Sequence, residues 1–513
     1  MSLSERQNTR VGDPVFAAIH SWLLRPLSDF ACLIGWIMSS IVFLGLGYLT
    51  GGPSEGDAAV SVYSTWAIAH GHLACAYPMA TTFRFPSISD PYTYIAPLYP
   101  LFSGAVSSLS RIGHAVPFPT SIQMGPHCSK ALVAMYGWSS QSGAILPTVR
   151  IGYLCWIPLM IGIIALLRAA GRGKCGWEIA TVLFVAMLPT EVECLTNYFH
   201  PQDLFAMAFV LLAVAGALRG NWLTVGIFIG LAVLTNQFAL LVAAPLLVLA
   251  PSSLRLRYVL GVVCTFSIVA LPVIIVTSGR AARAVFVGSG FSPTRGGTVL
   301  WELHATGATE FLVERIAPII LASALAWWTK RRIGNIALEP LPLVSVLATA
   351  LALRLVFEIT WWPYYFMAAT VLIVILEVIR GQIRGTVVGW LALMTLAFDP
   401  FPFGFLSNGV SWSTRVREVL PNYFIAVAVI VFLFGVLRRR VHWSIVAWIA
   451  LVVATLLTLP WSHQVIRSGM PLWFWQVVLA PTLVWLTFEP LLRFIRAQGH
   501  LAKISKHLHD NVS

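Results

Sequence analysis

Charge is scarce in this sequence: Asp, Glu, Lys and Arg make up 10% of its 513 residues, against 58% hydrophobic residues and a mean hydropathy of +0.81. So little charge cannot clothe a set of soluble domains of this length, and the chain reads as an integral membrane protein. Strand-like alternation is missing too, since apolar runs such as "IGYLCWIPLMIGIIALL" (151 to 167) show no dyad pattern. Unpaired backbone amides are costly in hydrocarbon, so the runs are expected to be helices. The fold class is then an all-α polytopic membrane protein.

Other absences exclude chemistry. The sequence has no Walker loop, dinucleotide fingerprint, HExxH pair or paired-cysteine motif, so ATP-driven pumping and zinc hydrolysis have no local support. Neither a metal nor a cofactor is expected. Charges do not sit mid-span as a proton relay would place them. The seven cysteines lack metal-ligand spacing; Cys75 and Cys128 fall in one polar segment, where a disulfide and two free thiols both fit. The polar N-terminal stretch before the first apolar run argues against a cleaved signal peptide.

The charge that is present is mostly basic, with a net value of +13. It forms no single patch with interleaved aromatics, so nucleic acid is not an expected partner. It falls instead in short clusters between apolar runs, such as Arg168, Arg172 and Lys174, or Lys330, Arg331 and Arg332. The positive-inside rule puts these clusters in the cytoplasm.

With roughly 17 to 25 residues per span as the ruler, helices are expected near 31 to 50, 151 to 168, 179 to 194, 203 to 218, 258 to 277, 312 to 329, 342 to 358, 364 to 380, 386 to 400, 421 to 437, 443 to 460 and 473 to 490. The apolar stretch between Arg219 and Arg255 is too long for one crossing and short for two, and reads as a hairpin of short helices turning near Thr235 and Asn236. The total is about 14 membrane helices in a single membrane domain, 1 to 513, with both termini cytoplasmic. Residues 51 to 150 form a large first external loop, whose 57 to 75 stretch and "YTYIAPLYPLFSGAVSSL" suit helices lying in the interface plane. Residues 491 to 513 read as a basic cytoplasmic tail able to meet anionic lipid head groups.

This bookkeeping puts the polar residues with chemical potential on the external face. Asp57 follows the first span and suits two roles, capping the helix after it or, with an oxygen facing a cleft, taking a proton from an incoming hydroxyl. Tyr63 lies on the same stretch. In "NYFHPQD", Pro201 fits the first turn of a helix, with His200 before it and Gln202 and Asp203 within it. Asp203 reads equally as a cap or a ligand contact, and the free helix start beside His200 suits a phosphate or a sugar hydroxyl. In "LRLVFEITWWPYYFM", Arg354 and Glu358 are four apart and fit a membrane ion pair. Trp361, Trp362, Tyr364 and Tyr365 suit an interfacial aromatic belt or a platform for a sugar ring or isoprenoid chain, with Arg354 toward a phosphate. Arg280 and His304 run against the positive-inside bias and suit an anionic partner, although solvated loop charge explains them as well.

The pattern "Y..W.IAHG.L..AYP" and then "Y.APLYPLF" behind an early acidic residue, followed by "HPQD" and "GIFIGLAVLTNQFALLVAAPLLVLA", resembles the GT-C superfamily of membrane glycosyltransferases. It is most similar to the bacterial branch of polyprenyl-phosphate-mannose-dependent α-mannosyltransferases and arabinofuranosyltransferases. The resemblance covers roughly residues 30 to 380. It implies a GT-C-type fold, a polyprenyl-phosphate sugar donor, a lipid-linked or cell-wall glycan acceptor and a plasma-membrane setting. It makes Asp57 the general base, with Glu55 and Asp90 as competitors. A transporter or flippase of lipid-linked saccharides is the rival class; it would be expected to show paired halves with broken helices, whereas this chain is front-loaded.

Overall fold

The computed structural model describes residues 33–38, 40–41, 64–65, 67–69, 71, 73, 76, 96–109, 146–186, 188–196, 199–279, 299, 312–358, 363–381, 383–397, 441–442 and 472–510. These are overwhelmingly helical. The described helices are α1 (Leu98–Leu109), α2 (Leu146–Tyr153), α3 (Trp156–Ala169), α4 (Cys175–Ala186), α5 (Pro189–Thr196), α6 (Pro201–Leu218), α7 (Trp222–Val233) and α8 (Leu240–Leu249). They continue with α9 (Arg255–Thr265), α10 (Leu271–Val276), α11 (Ala317–Ile333), α12 (Pro340–Phe357), α13 (Met367–Arg380), α14 (Gly385–Ala397) and α15 (Leu472–Asp510). One parallel pairing of two-residue strands, β1 (Ile383–Arg384) with β2 (Val441–His442), joins Ile383 to Val441.

Six described helical segments are long and apolar enough to cross a membrane, and the expected total of about 14 extends into stretches outside the described residues. The expected spans at 421 to 437 and 443 to 460 lie there, as does most of 51 to 150 with Cys75 and Cys128.

One expected span is corrected. The run 179 to 194 is two helices, because Pro189 cannot continue α4 and instead opens α5. Elsewhere local chemistry sets the bounds. Gly220, at φ +74°, ends α6 in the left-handed conformation, and the Asn221 side chain caps α7 by accepting from the Thr224 amide at 3.4 Å. The chain then turns at 234 to 236 and enters α8 through a 3₁₀ turn, Gln237–Ala239. The final helix runs without interruption from Leu472 to Asp510, so the basic segment after 490 continues it.

Burial orders the bundle. In α6, 83% of the apolar window is enclosed, against 22% for the segments 252 to 276 and 312 to 338. The chain around α6 is therefore the core, and α9, α10 and α11 turn much of their apolar surface outward, as lipid contact requires. The central helix packs on α3 and α7, and α12 packs on α15, α11 and α13. The α7 and α9 backbones touch through Gly226 and Gly261: a Cβ at Gly226 would stand 2.0 Å from the Tyr258 carbonyl. Small residues at such crossings are the usual means of close approach between membrane helices.

Helix direction defines two ends. The α6 start, the α12 end and the α13 start meet at one end, while the α3 end, the α4 start and the α13 end meet at the other. The second end is basic and closed. Glu178 takes both Nε and Nη2 of Arg168, at 2.7 and 3.2 Å. Arg384 bonds Glu377, Glu489 and the Leu486 carbonyl. Arg172 donates twice to the Ile379 carbonyl, and Lys330 gives its ammonium to the carbonyls of Val248, Leu249 and Ala250. Cationic side chains thus satisfy carbonyls that helix ends leave without partners.

Candidate functional site

At the other end the α6 start sets the first group of residues. Phe199 holds a left-handed φ of 49°, unusual for a bulky side chain. Its ring is buried against Gly152, where a Cβ would come within 2.7 Å of it. The next residue is gripped on both sides: the His200 amide donates to the Cys194 carbonyl at 2.6 Å, and the Cys194 thiol donates to the His200 carbonyl at 3.1 Å. Backbone strain supported this closely is characteristic of functional sites.

The fixed backbone presents His200 to Tyr364, with the rings stacked at 4.1 Å and 19°. Gln202 reaches back so that its Nε2 lies 2.9 Å from His200 Nδ1. With the amide nitrogen donating, the imidazole accepts at Nδ1 and carries its proton on Nε2. The Gln202 Oε1 is buried and has no hydrogen-bond partner among the described residues. Asp203 does not cap its helix. Its carboxylate accepts from the Asn236 side chain, whose own oxygen accepts from the Phe238 amide at 3.1 Å. The hairpin turn is also tied to α1, because the Leu98 amide donates to the Leu234 carbonyl at 3.0 Å.

The α12 end supplies the charge. Arg354 Nε bonds Glu358, as the four-residue spacing leads one to expect, and the carboxylate is 1% exposed. The guanidinium carbon lies 4.7 Å from the centre of the Tyr365 ring, within the range of a cation–π contact. Tyr364 meets Tyr365 edge-on at 4.7 Å. The rings of Tyr365 and Tyr364 thus connect Arg354 to His200 and join the α6 and α12 groups into one assembly. Glu314 and Arg315 come in from a π turn, Leu312–Ile316, at the start of α11. They pair at 3.5 Å, and the π turn packs against α12. Single π turns inside helices recur at functional positions, where they re-aim side chains.

Of the residues proposed from sequence, His200, Gln202, Asp203, Arg354, Glu358, Tyr364 and Tyr365 are brought together here. Asp57, Tyr63, Arg280 and His304 lie outside the described residues, as do Glu55 and Asp90. Asn236, Glu314, Arg315 and Gln476, whose side-chain amide donates to the Glu358 carbonyl at 2.9 Å, join the assembly without having been expected. Each is a polar group in or beside an apolar run, where hydrocarbon would leave it without partners unless the fold provided them. No group of three or more His, Cys, Asp or Glu able to hold a metal occurs among the described residues. A small apolar crevice lined by Phe184, Val374, Val378, Val387, Val388 and Leu391 lies beside Glu377 toward the basic end and shares no lining residue with this site.

No known family profile matches this chain, nor does any curated protein. Among solved structures the chain is similar to ArnT from Cupriavidus metallidurans in the apo state, at 16% identity and a TM-score of 0.43, over 93% of this chain and 78% of that one. The same protein bound to undecaprenyl phosphate matches at 16% identity and 0.42, over 92% and 78%.

Proposed function

We propose that this chain is an inverting glycosyltransferase that moves mannose or arabinofuranose from a polyprenyl-phosphate donor to a lipid-linked or cell-envelope glycan on the external face of the plasma membrane. The observation that carries this reading is a largely buried guanidinium, Arg354, lying on the ring of Tyr365, which meets Tyr364 and through it the stacked His200 at one end of the bundle. Its Nε is held by Glu358, which leaves the two Nη nitrogens for a phosphate that a guanidinium fork can bind bidentately. The stacked His200 and Tyr364 rings offer a flat face and polar edges to a sugar.

An apolar track leads away from these groups. Phe102 meets Phe205 at 4.9 Å, Phe205 meets Phe209 at 4.7 Å, and Phe209 meets Phe228 at 6.3 Å. Along α6 alone this covers about 10 Å from Gln202 to Phe209 at the helical rise. Such a row of rings, Phe205 buried and Phe102, Phe209 and Phe228 partly so, is suited to a prenyl chain whose phosphate sits at Arg354.

The chemistry asks little of the protein. A polyprenyl phosphate departs as a stable anion, so no general acid is required, and Arg354 stabilises the charge that develops on the leaving oxygen. One base must deprotonate the acceptor hydroxyl, a contribution worth about 10²- to 10⁴-fold. Asp57 is assigned that role, with Glu55 and Asp90 as competitors. Attack opposite the leaving phosphate inverts the anomeric carbon, turning a β-linked donor into an α-linked product.

Incubating membranes containing the chain with labelled polyprenyl-phosphate mannose and, separately, arabinose tests the proposal. Label should reach a lipid or glycan acceptor from one donor, and Asp57→Asn should abolish this while polyprenyl-phosphate binding persists. Undiminished transfer by the variant would move the base to Glu55 or Asp90. Passage of a lipid-linked saccharide across vesicles without any transfer would establish a transporter instead.

A further inference from the structure

Gln476 lies near the start of α15, in the apolar run "LWFWQVVLA", and is 2% exposed. A lone amide in such surroundings is costly unless every polar atom finds a partner. Its Nε2 donates toward the carbonyls of Leu355 at 3.1 Å, Val356 at 3.4 Å and Glu358 at 2.9 Å. Its Oε1 accepts from the Val299 amide at 3.0 Å. The carbonyls of Leu355 and Val356 belong to the last turn of α12, which breaks into extended backbone at Glu358 (ψ 134°). Gln476 is therefore the C-terminal cap of α12, supplied by a helix more than one hundred residues away. The capped turn follows directly on Arg354 and carries Glu358. The other end of the amide holds residue 299, between Arg280 and His304 in sequence.

Resting on the functional reading above, we propose that Gln476 is a positioning residue for the donor phosphate: it fixes the end of α12, and with it the Arg354–Glu358 pair, against the segment at residue 299. A second polar tie between the same helices supplies the control. Thr349 Oγ1 donates to Thr487 Oγ1 at 3.1 Å, some 16 Å further along α15 by the helical rise.

The test is steady-state transfer by the full chain in lipid nanodiscs, with a polyprenyl-phosphate sugar as donor, for wild type, Gln476→Met and Thr487→Val. Displacing a phosphate contact should raise the donor KM of Gln476→Met about tenfold. The acceptor KM should stay within about twofold, and amide exchange should quicken at 299 and at 355 to 358. Thr487→Val should leave both constants unchanged. If Gln476→Met does not fold, Gln476→Asn, which keeps the amide one methylene short, is expected to give the same donor-selective defect. Donor and acceptor constants that rise together, or a folded variant with an unchanged donor KM, would overturn the proposal and leave a helix cap alone. A wild-type chain that transfers no sugar would overturn the functional reading and this inference with it; a transferring wild type beside an unaltered variant overturns only the inference.

Discussion

The two ends of the bundle hold their arginines differently. At the basic end Arg384 is bound to two carboxylates and a carbonyl, and Arg172 and Lys330 close helix ends. At the aromatic end Arg354 has one carboxylate and a tyrosine face, while the buried Gln202 Oε1 has no partner among the described residues. Charges that are fully satisfied hold a fold together. A charge held by one side of its fork, among strained backbone and an unmet polar atom, is organised for something that arrives later.

Substitutions should separate these roles. The largest effect on folding is expected from Arg384→Ala, which removes the arginine that Glu377 and Glu489 share and leaves the first to Arg380 and the second to Arg493; it should cost about 1.5–3 kcal/mol, read by denaturation in detergent. The protein that remains folded should turn over normally. Replacing Arg354 and Glu358 together by Gln removes the ion pair as a unit, so stability should fall less than when either partner is removed alone, but transfer should fall at least about 10²-fold. His200→Ala removes the stack on Tyr364 and should lower kcat/KM for the donor about fivefold, matching roughly 1 kcal/mol for an aromatic pair. Lys330→Met should cost about 1 kcal/mol through the α8 carbonyls with no kinetic consequence. Turnover lost with Arg384 or Lys330 in a folded chain would erase the distinction between the ends.

Sidedness sharpens the same comparison. The basic clusters argue for a cytoplasmic position, whereas a disulfide at Cys175 argues for the opposite side, because intracellular disulfides are uncommon. A cysteine placed at Arg332, which is exposed at the basic end, should react with an impermeant maleimide only after cells are opened. Labelling of intact cells would turn the bundle over.

Much of the site could be read from the sequence because its parts are local. Proline at the start of α6 announces His200, Gln202 and Asp203, and four-residue spacing announces the Arg354–Glu358 pair. What could not be read depends on which helices meet. Asn236 gains meaning only when the hairpin turn reaches Asp203, Gln476 only when α15 reaches the end of α12, and Glu314 only when the π turn packs against α12. The division at Pro189 is a different kind of miss: the apolar pattern continues through it, and only the missing amide breaks the helix.

The most direct measurement is the affinity for undecaprenyl phosphate in nanodiscs, compared among wild type, the Arg354→Gln/Glu358→Gln pair and Arg384→Gln. The expected result is binding by wild type, a loss of at least about tenfold in the Arg354 pair, and no change for Arg384→Gln in its folded fraction. Equal affinity in all three, or a loss confined to Arg384→Gln, would contradict a phosphate site at the aromatic end.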